Sequence, residues 1–216
     1  MIKLLDILEN KILVPRRSKE ERGKNYQIAL QKKIQQYMKN GGKGDLDLSY
    51  TPIASLPPGL TVGGYLGLYS TPITSLPSGL NVGDTLNLAN SKITSLPSDL
   101  KVGGNLDLNS TKITSLPSGL TVGGYLYLDN CKNLTSLPPD LSVGGSLNLY
   151  STNIKSLPPG LTVKGYLDLR NTKITSLSPD LNVGGDLNLR GTPLSKSHTE
   201  EQIRQMALGV KGDIYM

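Results

Sequence analysis

The chain has no Trp and no Phe, and only one Cys and one His in 216 residues. Each scarcity removes a class of explanation. A single Cys cannot close an internal disulfide, so no oxidising compartment is implied. One His cannot build a His-rich metal cluster, and His198 has no Cys or acid pattern around it that suggests catalysis. No cofactor is expected. Without large aromatics the core must be thin and filled by smaller side chains. Long apolar runs are missing too. The first residues, MIKLLDILENKILVPRR, carry acids early and do not read as a signal peptide. The expectation is a soluble protein with no membrane segment, in the cytoplasm of the producing or infected cell.

Charge is unevenly spread. Residues 1–43 hold 11 Lys/Arg and 4 Asp/Glu, a balance of +7, and the rest of the chain holds 12 against 13, a balance of −1. The overall +6 therefore belongs to the first segment. Its cluster Arg16, Arg17, Lys19, Arg22, Lys24, Lys32 and Lys33 reads as the solvated outside of a helix, or as a contact for nucleic acid or an acidic partner.

From Gly44 to Gly185 one phrase recurs: x-L-x-L-x-x-[T/S]-x-[I/L]-x-S-L-P-x-x-L-x-V-G-G. The leucine pairs Leu46/Leu48, Leu66/Leu68, Leu86/Leu88, Leu106/Leu108 and Leu126/Leu128 stand 20 residues apart. So do Leu147/Leu149, Leu167/Leu169 and Leu187/Leu189, after a single 21-residue step that contains Asn133. A period this short predicts a solenoid, in which each unit packs on its neighbours. L-x-L predicts a short strand with the leucines on one face. The Thr/Ser/Cys that follows (Thr51, Thr71, Ser91, Thr111, Cys131, Thr152, Thr172 and Thr192) suggests a hydroxyl ladder bonded to backbone in the next repeat. Cys131 at that position reads as a small hydrogen-bonding residue, not a nucleophile. Ile53, Leu56, Val62 and their equivalents complete the expected core. Pro57 and its equivalents make the return segment extended or 3₁₀, and the Gly pairs are expected to supply a tight turn.

The ends differ from the repeats. Ile2 to Leu13 has helical apolar spacing. Ser18 with Glu21 opens a second helix over about residues 19–39, with Tyr26, Ala29, Leu30, Ile34, Tyr37 and Met38 as its apolar stripe. At the other end Ser197 or Thr199 can cap a helix bearing Ile203, Met206, Ala207 and Leu208. Val210 to Met216 then repeats the V-x-G-x-L-x-L phrase as a ninth strand. Nine strands would span roughly 40 Å. The expected organisation is one domain: a helical cap over residues 1–43, repeats over 44–194 and a helix–strand cap over 195–216.

The motif L-x-L-x-x-[T/S]-x-[I/L]-x-x-L-P resembles the leucine-rich repeat. Its period and LP step look most like the short repeats of secreted bacterial effectors, which also begin with a helical cap. The SLPxGLxVGGxLxL wording is similar to repeat proteins in environmental phage and other viral genomes. The likeness implies an α/β solenoid: a leucine-rich-repeat arc with a parallel β-sheet of about nine strands, an extended or 3₁₀ convex side and helical caps. The chain departs from that pattern where glycines such as Gly63 and Gly103 stand in place of a further leucine. Some effectors of this type carry a catalytic Cys domain after the repeats. Here the sole Cys lies inside a repeat.

With leucines inward, the outward strand positions can be read directly. They hold Tyr65, Tyr69, Tyr125, Tyr127, Tyr150, Tyr166 and Tyr215, seven of the ten tyrosines in the chain. They also hold Asp45, Asp47, Asp107, Asp129, Asp168, Asp186 and Asp213 against Arg170 and Arg190, a balance of −5. Tyr offers large contact area at low entropic cost, and aromatics gathered on a concave sheet suit a binding face. The competing explanation is that Tyr favours strands. The candidate binding residues are Tyr65, Tyr69, Asp107, Tyr125, Tyr127, Asp129, Tyr150, Tyr166, Asp168, Arg170 and Arg190. The acids suit a basic protein surface and would repel phosphates, so nucleic acid is not expected there. The functional expectation is a non-enzymatic protein-binding module, encoded by a phage or bacterium to engage a host protein. The alternative is a structural or assembly component. A monomer is expected, with head-to-tail self-association, basic segment on acidic face, as the other arrangement.

Overall fold

The computed structural model describes residues 19–216, with side chains from residue 23 onward. The helix expected before Pro15, and Arg16 and Arg17, lie outside the described residues. The chain divides into two units, residues 1–36 and 37–216.

In the first unit the described residues form helix α1, Lys19–Lys39, whose last turn runs into the second. Leu30 and Ile34 are buried, and Tyr37 and Met38 are half-buried. Tyr26 and Ala29 are exposed, so the apolar stripe is shorter than its spacing suggested. The helix stops at two glycines in the left-handed region. Gly41 (φ 81°) and Gly42 (φ 62°) donate their N–H groups to Met38 and Tyr37 carbonyls.

The second unit contains two parallel sheets. The leucine sheet has nine strands in chain order: Leu46–Asp47, Leu66–Gly67, Leu86–Asn87, Leu106–Asp107, Leu126–Tyr127, Leu147–Asn148, Leu167–Asp168, Leu187–Asn188 and Ile214–Tyr215. Register is leucine on leucine from Leu46 opposite Leu66 to Leu167 opposite Leu187, and the last pair sets Leu187 opposite Ile214. The 21-residue step does not disturb it, because Leu126 still faces Leu147 while Lys132 and Asn133 bulge out exposed.

On the return side the structure takes the extended alternative. The segments after each LP are extended without 3₁₀ helix among the described residues, and they lead into a second ladder. Eight two-residue strands from Thr61–Val62 to Gly209–Val210 pair in parallel, valine opposite valine. Between the sheets lie the strand leucines, at most 2% exposed, with the Ile and Val columns. A further buried column, Leu60, Leu80, Leu100, Leu120, Leu141, Leu161 and Leu181, belongs to the core and was not singled out by the sequence reading. Each fully buried leucine contributes about 1.5–3 kcal/mol of transfer free energy, against the entropy of ordering the chain.

Three local devices hold the stack. Five of the ladder hydroxyls bond within their own repeat, not to the next one. Thr51, Thr71, Thr152, Thr172 and Thr192 each donate to the leucine carbonyl three residues earlier. Cys131 does reach across, to the Leu108 carbonyl at 3.1 Å and the Thr111 hydroxyl at 3.5 Å. Second, the residue before the hydroxyl sits in the left-handed region in every repeat, from Tyr50 (φ 59°) to Gly191 (φ 75°). Third, most of the core valines are followed by a glycine that allows close approach and not turning, with Lys164 and Lys211 in its place after Val163 and Val210. A Cβ on Gly83, Gly103, Gly123 or Gly144 would overlap the carbonyl oxygen of the glycine one repeat earlier.

At the C-terminal end Thr192 caps helix α2, Pro193–Ser197, and Thr199 caps helix α3, Glu200–Met206. Thr199 and Gln202 form a reciprocal capping box. Ile203 and Ala207 are buried, but Leu208 is 80% exposed and is not part of the apolar face.

Candidate functional site

The face of the leucine sheet opposite the leucines carries three columns: the residue before the first leucine, the one between the leucines, and the one after the second. Strand periodicity turns all three away from the core. Neighbouring repeats place equivalent side chains about 4.8 Å apart. The candidate residues fall in these columns, but they do not share one role.

The middle column is largely committed to the backbone. The strands end after two residues, so the N–H of the third column needs an acceptor outside the ladder. The Oδ1 atoms of Asp47, Asn87, Asp107, Asn148, Asp168 and Asn188 take that N–H two residues on, at 2.9–3.3 Å. Tyr127 cannot, and the Asp129 N–H is taken instead by Asn109 Oδ1 of the preceding repeat at 2.7 Å. The first column works similarly across repeats. Asp45 accepts from Tyr65 N–H, Asn105 from Tyr125, Ser146 from Tyr166 and Asp186 from Asp213. Backbone demand thus accounts for Asp45, Asp47, Asp107, Asp168 and Asp186, five of the seven acids on this face. Asp and Asn satisfy that demand equally through Oδ1. They differ in what remains, an acceptor oxygen or an amide donor.

Asp168 is also neutralised. It is 3% exposed, and Arg170 Nε and Nη2 grip its carboxylate at 2.6–3.0 Å. The Arg170 guanidinium in turn lies 5.1 Å from the centre of the Tyr150 ring, and Arg190 lies 4.9 Å from that of Tyr215. These contacts fix the arginines on aromatic faces. A polar depression of about 320 Å³ runs over Asn148, Tyr166, Asp168, Arg170, Asp186, Asn188 and Tyr215.

Asp129 stands apart. Its Oδ1 is buried without a hydrogen-bond partner. Burial, then the Asp168 and Asp107 charges, raise its pKa to about 6, while Arg170 and Asn109 hold it down. Asp107 is raised as well, by burial. The phenols around them are pushed up by burial first: Tyr127, where the charges of Tyr166, Tyr125, Asp107 and Asp129 add, and Tyr166, where those of Asp168, Asp129 and Tyr125 add. Tyr125, Tyr127, Tyr166, Asp107, Asp129, Asp168 and Arg170 therefore share one electrostatic neighbourhood. Tyr125 and Tyr166 are 44% and 40% exposed, and Tyr127 meets Tyr125 edge-on at 5.9 Å.

The remaining candidates, Tyr65 and Tyr69, lie at the other end of the sheet. Tyr69 stacks edge-on at 5.1 Å on Tyr50, which is 77% exposed. Sequence columns missed Tyr50 because it stands one residue beyond the strand. The available signal was a bulky Tyr where the other repeats have Ser, Asn or Gly.

Cys131 is buried, and burial raises its thiol pKa, which disfavours the nucleophilic thiolate. His198 lies against Ser197 Oγ at 2.8 Å beside the α3 cap. Among the described residues no group of three or more His, Cys, Asp or Glu is placed to hold a metal ion. No described helix is long and apolar enough to cross a membrane.

No protein-family model and no curated protein matches the sequence. Among solved structures the chain is similar to the leucine-rich-repeat domain of a Shigella effector. Sequence identity is 19% and the TM-score 0.55, covering 97% of this chain and 93% of that one. At that identity the likeness shows a shared fold and nothing more specific.

Proposed function

We propose that this chain is a non-enzymatic binding module that presents the open face of its leucine sheet to a protein partner. The observation that carries this reading is the placement of Tyr125, Tyr127 and Tyr166. Each projects from a position where neighbouring repeats use Asn, Ser, Asp or Gly, so the fold does not require a ring there. Two of the rings remain substantially exposed. Exposed tyrosines on a rigid sheet lose little entropy on binding. The partner surface is basic, since the face carries more acids than arginines and Asp129 has no fixed counter-ion of its own. In a phage or bacterial setting such a module would engage a host protein. The alternative is an assembly component. It draws support from the acids that serve the backbone, because they need no external partner.

Affinity capture from a host lysate, with the Tyr125→Ala, Tyr127→Ala, Tyr166→Ala variant as control, tests the reading. A protein retained by the parent and lost with the folded variant is the expected result. Identical capture by both would reduce the tyrosines to sheet formers and move assembly to first place.

A further inference from the structure

We propose that the polar depression between Asn148 and Tyr215 binds a neutral sugar unit. The Asn148 and Asn188 amides and the Asp186 carboxylate hold its hydroxyls, and the Tyr166 ring takes its C–H face. This goes beyond the protein-binding reading: Tyr166 serves both, but Asn148, Asn188 and Asp186 carry no part of that one.

The donors come from the middle column. Asn148 stands opposite Asp168, and Asp168 opposite Asn188, about 4.8 Å apart on successive strands. Each uses Oδ1 to accept the N–H two residues on. Asp168 has little left to offer, because Arg170 Nε and Nη2 also take its oxygens. The asparagines are different. Their Nδ2 groups make no hydrogen bond to a described residue, and neither does Arg170 Nη1. Asp serves the backbone in this column as well as Asn does, as at Asp47 and Asp107. Backbone demand therefore does not select the amides that flank Asp168.

An acceptor and a ring complete the site. Asp186 accepts the Asp213 N–H through Oδ1, and its Oδ2 has only a long contact with the Tyr215 hydroxyl, at 3.5 Å. Tyr166 supplies carbon surface. A Cβ on Gly145 would strike the Tyr125 ring, which lies over it, whereas the atoms nearest a Cβ on Gly185 are all backbone. Tyr166 is thus not laid on the following repeat as Tyr125 is, and its ring lines the depression.

The lining selects the ligand. A volume of about 320 Å³ suits one small molecule. Among the described residues no Leu, Ile, Val or Met lines it, which disfavours an apolar one. An ammonium brings donors only and would leave both amides without an acceptor. A phosphate or carboxylate brings acceptors only and meets Asp186, while the lining cation is already paired with Asp168. A hydroxyl both donates and accepts. A pyranose carries several hydroxyls around a ring whose C–H face stacks on an aromatic, so it meets all of these groups at once.

Glucose, mannose, galactose and N-acetylglucosamine are the probes. Each would be titrated into the full isotope-labelled chain to about 50 mM, because an open site and a small ligand give affinity of millimolar order. The side-chain amide resonances of Asn148 and Asn188 report the site. Saturation transferred from tyrosine ring protons to sugar C–H reports the stacking. The expected result is a saturable shift of both amides, with saturation transfer, for at least one sugar. Asn188→Asp keeps the Oδ1 that serves the Arg190 N–H but loses the donor, so it should weaken binding about tenfold. Asn87→Asp makes the same exchange in the same column outside the depression and should change nothing. No saturable shift with any of the four sugars, equal binding by Asn188→Asp, or an equal loss with Asn87→Asp would each overturn the proposal. Tyr125→Ala should leave sugar binding intact, so a failure here and a failure of protein capture are read separately.

Discussion

At the scale of single residues the repeat distinguishes two glycine roles that look alike in sequence. Gly119 has φ 71° and only Asp140 Oδ2, at 4.0 Å, near a built Cβ, so alanine there meets backbone strain alone. Gly123 lacks that strained φ, but a Cβ on it would strike the Gly103 carbonyl, which cannot move without shifting the ladder. Gly119→Ala should therefore cost about 1 kcal/mol, and Gly123→Ala about 3 kcal/mol or more. Urea unfolding of the two variants checks this, and equal losses would refute the close-approach argument. The same scale separates structural from available acids. Asp99, Asp140 and Asp180 each have a pKa lowered by hydrogen bonds. For Asp99 the Gly79 N–H leads, and for Asp140 and Asp180 the Ser118 and Ser178 hydroxyls lead. Their stabilising contribution is present above the ordinary Asp range and is lost as pH falls through the lowered values. Asp129 is shifted the other way, so the folded state resists its ionisation.

At the scale of elements, two-residue strands are too short to be stable alone. They persist because every strand has a neighbour, and the last must be supplied by the C-terminal cap. Helix α3 has seven residues, below the length at which an isolated helix is stable. Its placement depends on buried Ile203 and on the capping box. Thr199→Ala removes the N-cap acceptor and should cost about 1 kcal/mol. Hydrogen exchange should locate the loss in residues 200–216, including the strand Ile214–Tyr215. A loss spread evenly over the repeats would show that the cap is not a separate cooperative unit.

At the scale of the molecule the consequence of one-dimensional packing is modularity. Removing residues 85–104 joins Asp84 to Asn105 and keeps the V-G-x-x-L phrase intact. Leu66 would then face Leu106 in the register now used by Leu86. The shortened chain should fold, with one strand fewer in each sheet and lower stability. It should keep Tyr125, Tyr127 and Tyr166, which lie beyond the deletion. Circular dichroism and a cooperative urea transition are the readouts. Loss of cooperative folding would mean that the repeats are not interchangeable.

Period, leucine registry, strand count and the ninth strand were legible in the sequence, because each rests on spacing. A residue repeated every turn of a solenoid must face its own copy, and burial of a leucine column follows from that alone. The valine ladder, the Leu60 column and the glycine contacts were less legible. They depend on how closely successive backbones approach, and spacing along one chain does not reveal that distance. The open face divides the same way. Its tyrosines and acids could be counted from the columns, but the partner of each acid is a backbone N–H or a neighbouring side chain one repeat away. Tertiary structure decided that Asp168 is occupied by Arg170, that Asp107 serves the Asn109 amide, and that Asp129 is left with a buried unpaired oxygen. The physical reason is that hydrogen-bond satisfaction belongs to the stacked assembly, whereas hydrophobic registry belongs to the repeat.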